Sequence, residues 1–243
     1  MTMDLKQGPV PFNPYTANPK VSRTSYYIYE APVRLWHWIN VVAILVLCIT
    51  GYFIGAPLPS VGGEATFTFV MGYIRMAHFI AGYVLAVGFL FRIYWGFVGN
   101  KHSREIFYIP FWRPNWWREV VFEARWYAFL APYPKKYYGH NPLAQLAMFL
   151  MFTCMTTLMI VTGFAMYAEG AGPGHWSHTA FGWVIGLAGN TQNLHTIHHY
   201  GMWAIILFVI IHIYAAVRED IMSRQSMIST MVSGERMFKD DAP

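Results

Sequence analysis

The sequence predicts an all-α membrane protein with four transmembrane helices and a cytoplasmic amphipathic helix between spans two and three. Three observations carry this. First, only 12% of the 243 residues are Asp, Glu, Lys or Arg, against 56% hydrophobic and 18% aromatic. Soluble domains carry roughly 25% charged residues. Second, residues 35–63, 76–91, 137–168 and 170–217 hold no charged side chain, where a water-facing surface would need them. Third, apart from Arg75 and Arg92 near the ends of one span, Lys and Arg are confined to alternate connecting segments. This excludes a disordered chain and a nucleic-acid-binding domain despite the net charge of +5, and argues against a soluble enzyme.

About 20 mostly apolar residues are needed to cross a hydrocarbon core of roughly 30 Å. Spans are expected at about 36–55, 70–98, 143–167 and 197–217. Arg75 and Arg92 lie near the ends of the second, where long side chains reach the headgroups. The segment 176–189 is too short and glycine-rich to cross, and reads as interfacial or re-entrant.

Orientation follows from the basic residues. Lys6, Lys20, Arg23 and Arg34 precede span one. Lys101, Arg104, Arg113, Arg118, Arg125, Lys135 and Lys136 lie between spans two and three. Arg218, Arg224, Arg236 and Lys239 follow span four. The loops 57–69 and 169–195 have neither Lys nor Arg. Both termini are therefore expected in the cytoplasm, which five spans would forbid. Residues 1–35 read as a cytoplasmic lead-in without signal-peptide features, residues 36–219 as the four-span domain, and residues 220–243 as a cytoplasmic tail. Asn115 is the expected cap of an amphipathic helix, and Trp112, Trp116, Trp117 and Trp126 suit the headgroup layer. Cys48 and Cys154 are isolated and read as small buried residues, outside any CxxC pattern.

Four of the ten histidines bear on the membrane region in a way the others do not. His37 opens span one at the cytoplasmic end, and His78 lies in the first turns of span two on the outer side. His198 and His212 sit at the outer and cytoplasmic ends of span four. Ionisable residues inside a membrane are costly and default to a functional reading. From His198 to His212 a helix turns about 1400°, some 40° short of four turns, and rises about 21 Å. The two therefore share a face, whereas His199 points nearly opposite His212. Depth pairs His37 with His212 and His78 with His198. Two imidazole pairs at two depths suit two bis-histidine haems in a helix bundle. The absence of a CxxCH motif makes them non-covalent, b-type. His195, His198 and His199 also fit the HxxHH spacing of membrane di-iron enzymes, but a single such box with no acidic partner does not build that centre.

The chain resembles the cytochrome b subunit of membrane-bound nickel-iron uptake hydrogenases, a di-haem, four-helix type shared with formate dehydrogenase cytochrome b. The resemblance rests on Glu30-Ala-Pro-Val-Arg-Leu-Trp-His-Trp38, on Met71-Gly-Tyr-Ile-Arg-Met-Ala-His78, and on His195-Thr-Ile-His-His-Tyr-Gly-Met-Trp203 running on to His212. It covers the chain after about residue 26, leaving 1–25 without an assigned role. It implies a multi-pass protein of the bacterial inner membrane that is an electron-transfer subunit rather than an enzyme by itself. Its implied partners are the hydrogenase small and large subunits on the periplasmic side, and heterotrimers of this kind can assemble further. Electrons from hydrogen would enter an outer haem on His78 and His198, pass to an inner haem on His37 and His212, and reduce quinone.

Arg75 and Arg34 each stand three residues before a ligand, so each is expected to pair with a haem propionate. Their plainer readings are a snorkelling arginine and a positive-inside anchor. Asn141 is a candidate quinone contact or a helix cap before Pro142. Arg218, Glu219 and Asp220 are candidate proton donors to quinone or solvated cytoplasmic residues. Competing functions are the cytochrome b of formate dehydrogenase or of another quinone-linked oxidoreductase, a stand-alone di-haem quinone oxidoreductase, and a haem-free anchor or transporter.

Overall fold

A computed structural model of the chain describes residues 25–59 and 68–238. Lys6, Lys20, Arg23 and Lys239, and most of the 57–69 loop, lie outside the described residues. Four long helices are apolar enough to cross a membrane: Ala31–Gly55, Val70–Val98, Pro142–Ala171 and Thr191–Met222. Three of them run past their apolar stretches. Extra turns project from both ends of the fourth span and from the cytoplasmic end of the first, where Pro32 suits the first turn because it lacks an N–H.

Local chemistry sets the remaining ends. Pro57 follows the first span, and the third stops at Gly172, whose φ of 79° favours glycine. Asn190 caps the fourth, its side chain accepting from the Asn193 N–H at 2.8 Å. Spans one and two form one antiparallel hairpin, and spans three and four form the other. Rows of large apolar side chains, among them Leu45, Val87, Leu90, Ile210 and Ile213, face outward. In a bilayer that is the lipid face, since lipid tails are as apolar as these side chains. Inside, Trp36, Phe89, Ile106, Phe152 and Phe208 form an aromatic-rich core. Span three winds as a π-helix over Met148–Cys154, the segment that carries Phe152 into this core. Cys48 is half-buried and Cys154 is exposed, so the expectation of burial fails for Cys154, which faces outward.

The 176–189 segment forms two short helices, Trp176–Phe181 and Trp183–Ala188, packed on spans three and four. The expected amphipathic helix runs over Pro114–Tyr127. Its cap position is Arg113, not Asn115: Pro114 takes the first helical position, which moves Asn115 inside the first turn. Trp112 and Trp117 are exposed as expected for a headgroup layer, but Trp116 and Trp126 are buried. Trp116 Nε1 donates to Gln145 Oε1 at 3.0 Å, and Trp126 Nε1 donates to Glu219 Oε1 at 2.8 Å. These indoles anchor the helix to spans three and four.

The lead-in, the 99–142 loop and the tail meet on one face of the bundle. Strand β1, Ser25–Tyr27, pairs antiparallel with β2, Glu235–Met237, with Tyr26 opposite Arg236. The buried Arg236 donates from Nη1 to the carbonyls of Tyr137 and Gly139 at 2.9 and 2.8 Å. A short helix, Met227–Ser233, joins span four to β2 and receives Trp38 Nε1 on its Met231 carbonyl at 3.0 Å. Segments carrying the basic residues thus share a side, as an even number of crossings requires.

Candidate functional site

The two expected histidine pairs form. The ring centroids of His78 and His198 are 6.5 Å apart, and those of His37 and His212 are 6.4 Å apart. An imidazole nitrogen bonds a metal at about 2.0–2.1 Å and lies about 1.1 Å from its ring centre, so two imidazoles sharing one metal have centroids roughly 6.3 Å apart. Both pairs match that spacing. They sit at two depths, as the helical rise between His198 and His212 dictates.

The outer pair borders a cavity of about 400 Å³ between all four spans. Its walls are mainly apolar, including Ile44, Leu47, Met159, Met202 and Ile205, with Arg75 at the rim. A flat, largely apolar group with anionic arms suits such a space. Two threonines orient the ligands. Thr50 Oγ1 donates to the Val46 carbonyl at 2.6 Å, and its oxygen accepts from His78 Nδ1–H at 2.9 Å. Thr162 Oγ1 donates to the Leu158 carbonyl at 2.7 Å and accepts from His198 Nδ1–H at 2.7 Å. Each threonine holds the tautomer that leaves Nε2 free as an acceptor. The glycine after each threonine admits the ring: a Cβ on Gly51 would stand 3.3 Å from His78 Cε1, and one on Gly163 would stand 3.3 Å from His198 Cε1.

Neither threonine was among the expected site residues. A signal for them exists in the repeated pattern Ile49-Thr50-Gly51-Tyr52 and Val161-Thr162-Gly163-Phe164. Spans one and three each present it to the histidine-bearing second helix of their own hairpin. The other histidines at this end of span four border the same cavity, His199 against Gly55, without a threonine bond. His199 is exposed and accepts from Trp203 Nε1 at 3.1 Å, and His195 is exposed at the cavity edge. Among the described residues no group of three or more His, Cys, Asp or Glu side chains is placed to hold a metal ion.

The inner pair is supported differently. His212 stacks on Phe208, with centroids 5.7 Å apart and planes 24° apart. His37 packs edge-on against Trp38, and its buried Nδ1 has no hydrogen-bond partner. Arg92, 2% exposed, lies over the Trp36 ring at 5.3 Å, and its Nε and Nη1 also lack partners. Buried unpaired donors of this kind fit a site that takes a polar or anionic group.

Beneath the inner pair lies a polar layer that sequence reasoning did not single out. Glu105 Oε1 accepts from His102 Nδ1 at 2.6 Å. Its Oε2 accepts from the His140 backbone N–H and from His140 Nδ1, both at 2.9 Å. Burial pushes the Glu105 carboxyl up, but the hydrogen bonds from His102 and His140 outweigh it and hold it at about 2. Tyr29 Oη lies 3.2 Å from His140 Nδ1, and burial raises the Tyr29 phenol well above its ordinary value. Nearby, burial lifts the Glu123 carboxyl to about 7. A Tyr137 hydrogen bond opposes the shift, while Glu219 and Glu119 reinforce it.

The remaining candidates have clear positions. Arg34 Nη1 donates to the Val232 carbonyl, so the guanidinium is engaged with the tail helix. Asn141 Oδ1 accepts from the Ala144 N–H at 2.7 Å and caps span three. Arg218 and Glu219 are buried and not solvated. Arg218 Nη1 donates to Glu219 Oε1 at 3.1 Å, and Nη2 donates to the Trp126 carbonyl at 2.7 Å. Asp220 Oδ1 accepts from the Ile228 N–H at 3.3 Å, at the start of the tail helix.

A profile of the family described as prokaryotic cytochrome b561 matches residues 28–234. The chain is 62% identical over 221 residues, 91% of its length and 92% of the relative, to a probable Ni/Fe-hydrogenase B-type cytochrome subunit of Azotobacter chroococcum mcd 1. It is 63% identical to a protein of the same description from Rhodobacter capsulatus, over 90% of this chain and 84% of the relative. It is 53% identical to a probable Ni/Fe-hydrogenase 1 B-type cytochrome subunit of Escherichia coli K12, over 88% and 92% respectively.

Proposed function

Since the chain belongs to the prokaryotic cytochrome b561 family, we propose that it is the di-haem membrane subunit of a nickel-iron hydrogenase, carrying electrons from hydrogen oxidation across the membrane to quinone. One observation carries this reading: two imidazole pairs, each at metal-sharing distance, stand at two depths of a four-span bundle. Haem b held between such imidazoles would supply one-electron transfer.

His78 and His198 would hold the outer haem, with Thr50 and Thr162 fixing their rings. His37 and His212 would hold the inner one. Arg75, at the rim of the outer cavity, would meet a propionate there. Arg34, bonded to the tail, would steady the start of span one beside His37. Basic loops on one face support a reading with both termini in the cytoplasm of a bacterial inner membrane; the outer haem would then face the periplasm, where the hydrogenase small and large subunits would dock.

Quinone would bind at the cytoplasmic edge of the inner pair. Asn141, Arg218, Glu219 and Asp220 belong to that layer. Because each has a side chain committed to a cap or an ion pair, we assign them to shaping the pocket. Proton delivery falls to the Tyr29, His140 and Glu105 chain. Glu105, ionised at neutral pH, holds His140 in place as the group that passes a proton.

Purification of the complex in mild detergent tests the reading. Two b haems per chain by pyridine haemochrome, both reduced by hydrogen through co-eluting hydrogenase subunits, are expected. No haem, or full haem content after His198→Ala, would overturn it.

A further inference from the structure

Arg92 is a buried cation that feels the Glu105 charge but has no carboxylate hydrogen-bonded to its Nε or Nη1 among the described residues. It is 2% exposed, so neither water nor a lipid headgroup reaches it. Its Nε and Nη1 have no partners, and its guanidinium is sandwiched between Trp36 and Phe107, 5.3 Å from each ring centre. Burying an unpaired charge is strongly unfavourable unless a counter-charge is supplied. The acidic neighbours are already occupied. Both oxygens of Glu105 are taken by His102 and His140. Glu30 Oε2 accepts from Trp95 Nε1, the Asn100 N–H and Ser103 Oγ. Among the described residues no further carboxylate is placed to meet Nε and Nη1.

Position says which anion. From His78 to Arg92 is the same number of residues as from His198 to His212, and spans two and four run in the same direction. Arg92 therefore lies about 21 Å inward of the outer pair, on the His78 face of its helix and level with His212. The ring it covers, Trp36, is the residue before His37.

We infer that Arg92 receives a propionate carboxylate of the haem held by His37 and His212, a contact that rests on the two-haem reading above. The fork of Nε and Nη1 suits a carboxylate offered edge-on. A cation there also stabilises the reduced, more negative haem and raises its potential.

Equilibrium redox titration of the purified complex, followed by optical spectra, tests this. The inner component is assigned as the one that disappears in His212→Ala. Arg92→Gln is expected to make inner-haem reduction about tenfold less favourable, a fall of about 59 mV for a one-electron couple, with the outer haem unmoved. Arg92→Lys keeps the charge but loses the fork, and should show a smaller fall of about threefold. The outer-haem signal reports folding in each variant. Should Arg92→Gln fail to assemble, Arg92→Lys decides. Wild-type inner potential in the variant that assembles, or equal movement of both haems, overturns the inference. Wild-type complex lacking the inner haem would instead overturn the functional reading.

Discussion

The outer and inner histidine pairs have nearly the same spacing and are built by different means. The outer rings are set from within the bundle: each histidine leans into the gap left by a glycine, and a threonine one residue away holds its Nδ1–H. At the inner pair no threonine plays that part. His212 rests on Phe208, His37 Nδ1 is unpartnered, and the firm bonding lies below them in the cytoplasmic layer. Orientation thus comes from local hydrogen bonds at the outer pair and from ring packing above a polar layer at the inner one. The outer site should tolerate disturbance of the loops, and the inner site should not.

Removing a ligand is the strongest test of that division. His198→Ala should leave one haem of two, with the inner spectrum intact. His212→Ala should do the reverse, as measured by pyridine haemochrome and difference spectra. Loss of both haems in either variant would mean that the sites are not separately built.

Next in size is the platform. Glu219→Ala leaves Arg218 charged and buried with its carboxylate gone, which costs about 3–5 kcal/mol. Thermal unfolding in detergent should fall markedly, and the inner haem should be released before the outer. An inner haem as persistent as wild type would disconnect the platform from the site.

Thr162→Val removes the bond to His198 Nδ1 while keeping the side-chain shape. Second-layer bonds of this kind are worth about 10–100-fold in affinity. Competition with a haem-binding acceptor protein should show that loss at the outer haem alone.

The smallest effect is pH-dependent. Glu123 has a folded-state value of about 7, raised above the ordinary carboxylate range. Its protonated form favours folding, so its contribution is fully present below the unfolded value and is lost as pH rises through 7. Glu123→Gln should flatten the decline in melting temperature between pH 5 and 8, leaving stability at pH 5 nearly unchanged.

Depth and face along single helices were legible in the sequence, and they were enough to pair His37 with His212 and His78 with His198. Charge placement gave the crossings. What escaped was polar satisfaction between helices. Thr50 meets His78 and Thr162 meets His198 across separations of 28 and 36 residues, distances that no periodicity encodes. Their repeated Thr-Gly pattern shows only once the two hairpins are seen to be alike. Arg92 read as a residue near a span end because its position in a turn-by-turn count was compared with the membrane edge and not with His212. Arg218 and Glu219 sit in a charged run that looks solvated, and only the arrival of Trp126 from 92 residues away buries them. Asn115 illustrates a local error: the Pro114 ring, not the asparagine side chain, fixes where that helix begins.

The β1–β2 clasp joins residues 25–27 to 235–237. A nascent chain therefore has all four crossings in place well before its ends can meet. Arg236, which locks the loop at Tyr137 and Gly139, comes after all four spans in the chain. This face of the bundle can close over the inner pair only once β2 has been made. A copy cut short after span four would keep its outer compartment and leave the inner one open, so translation itself sets the sequence in which the two halves mature.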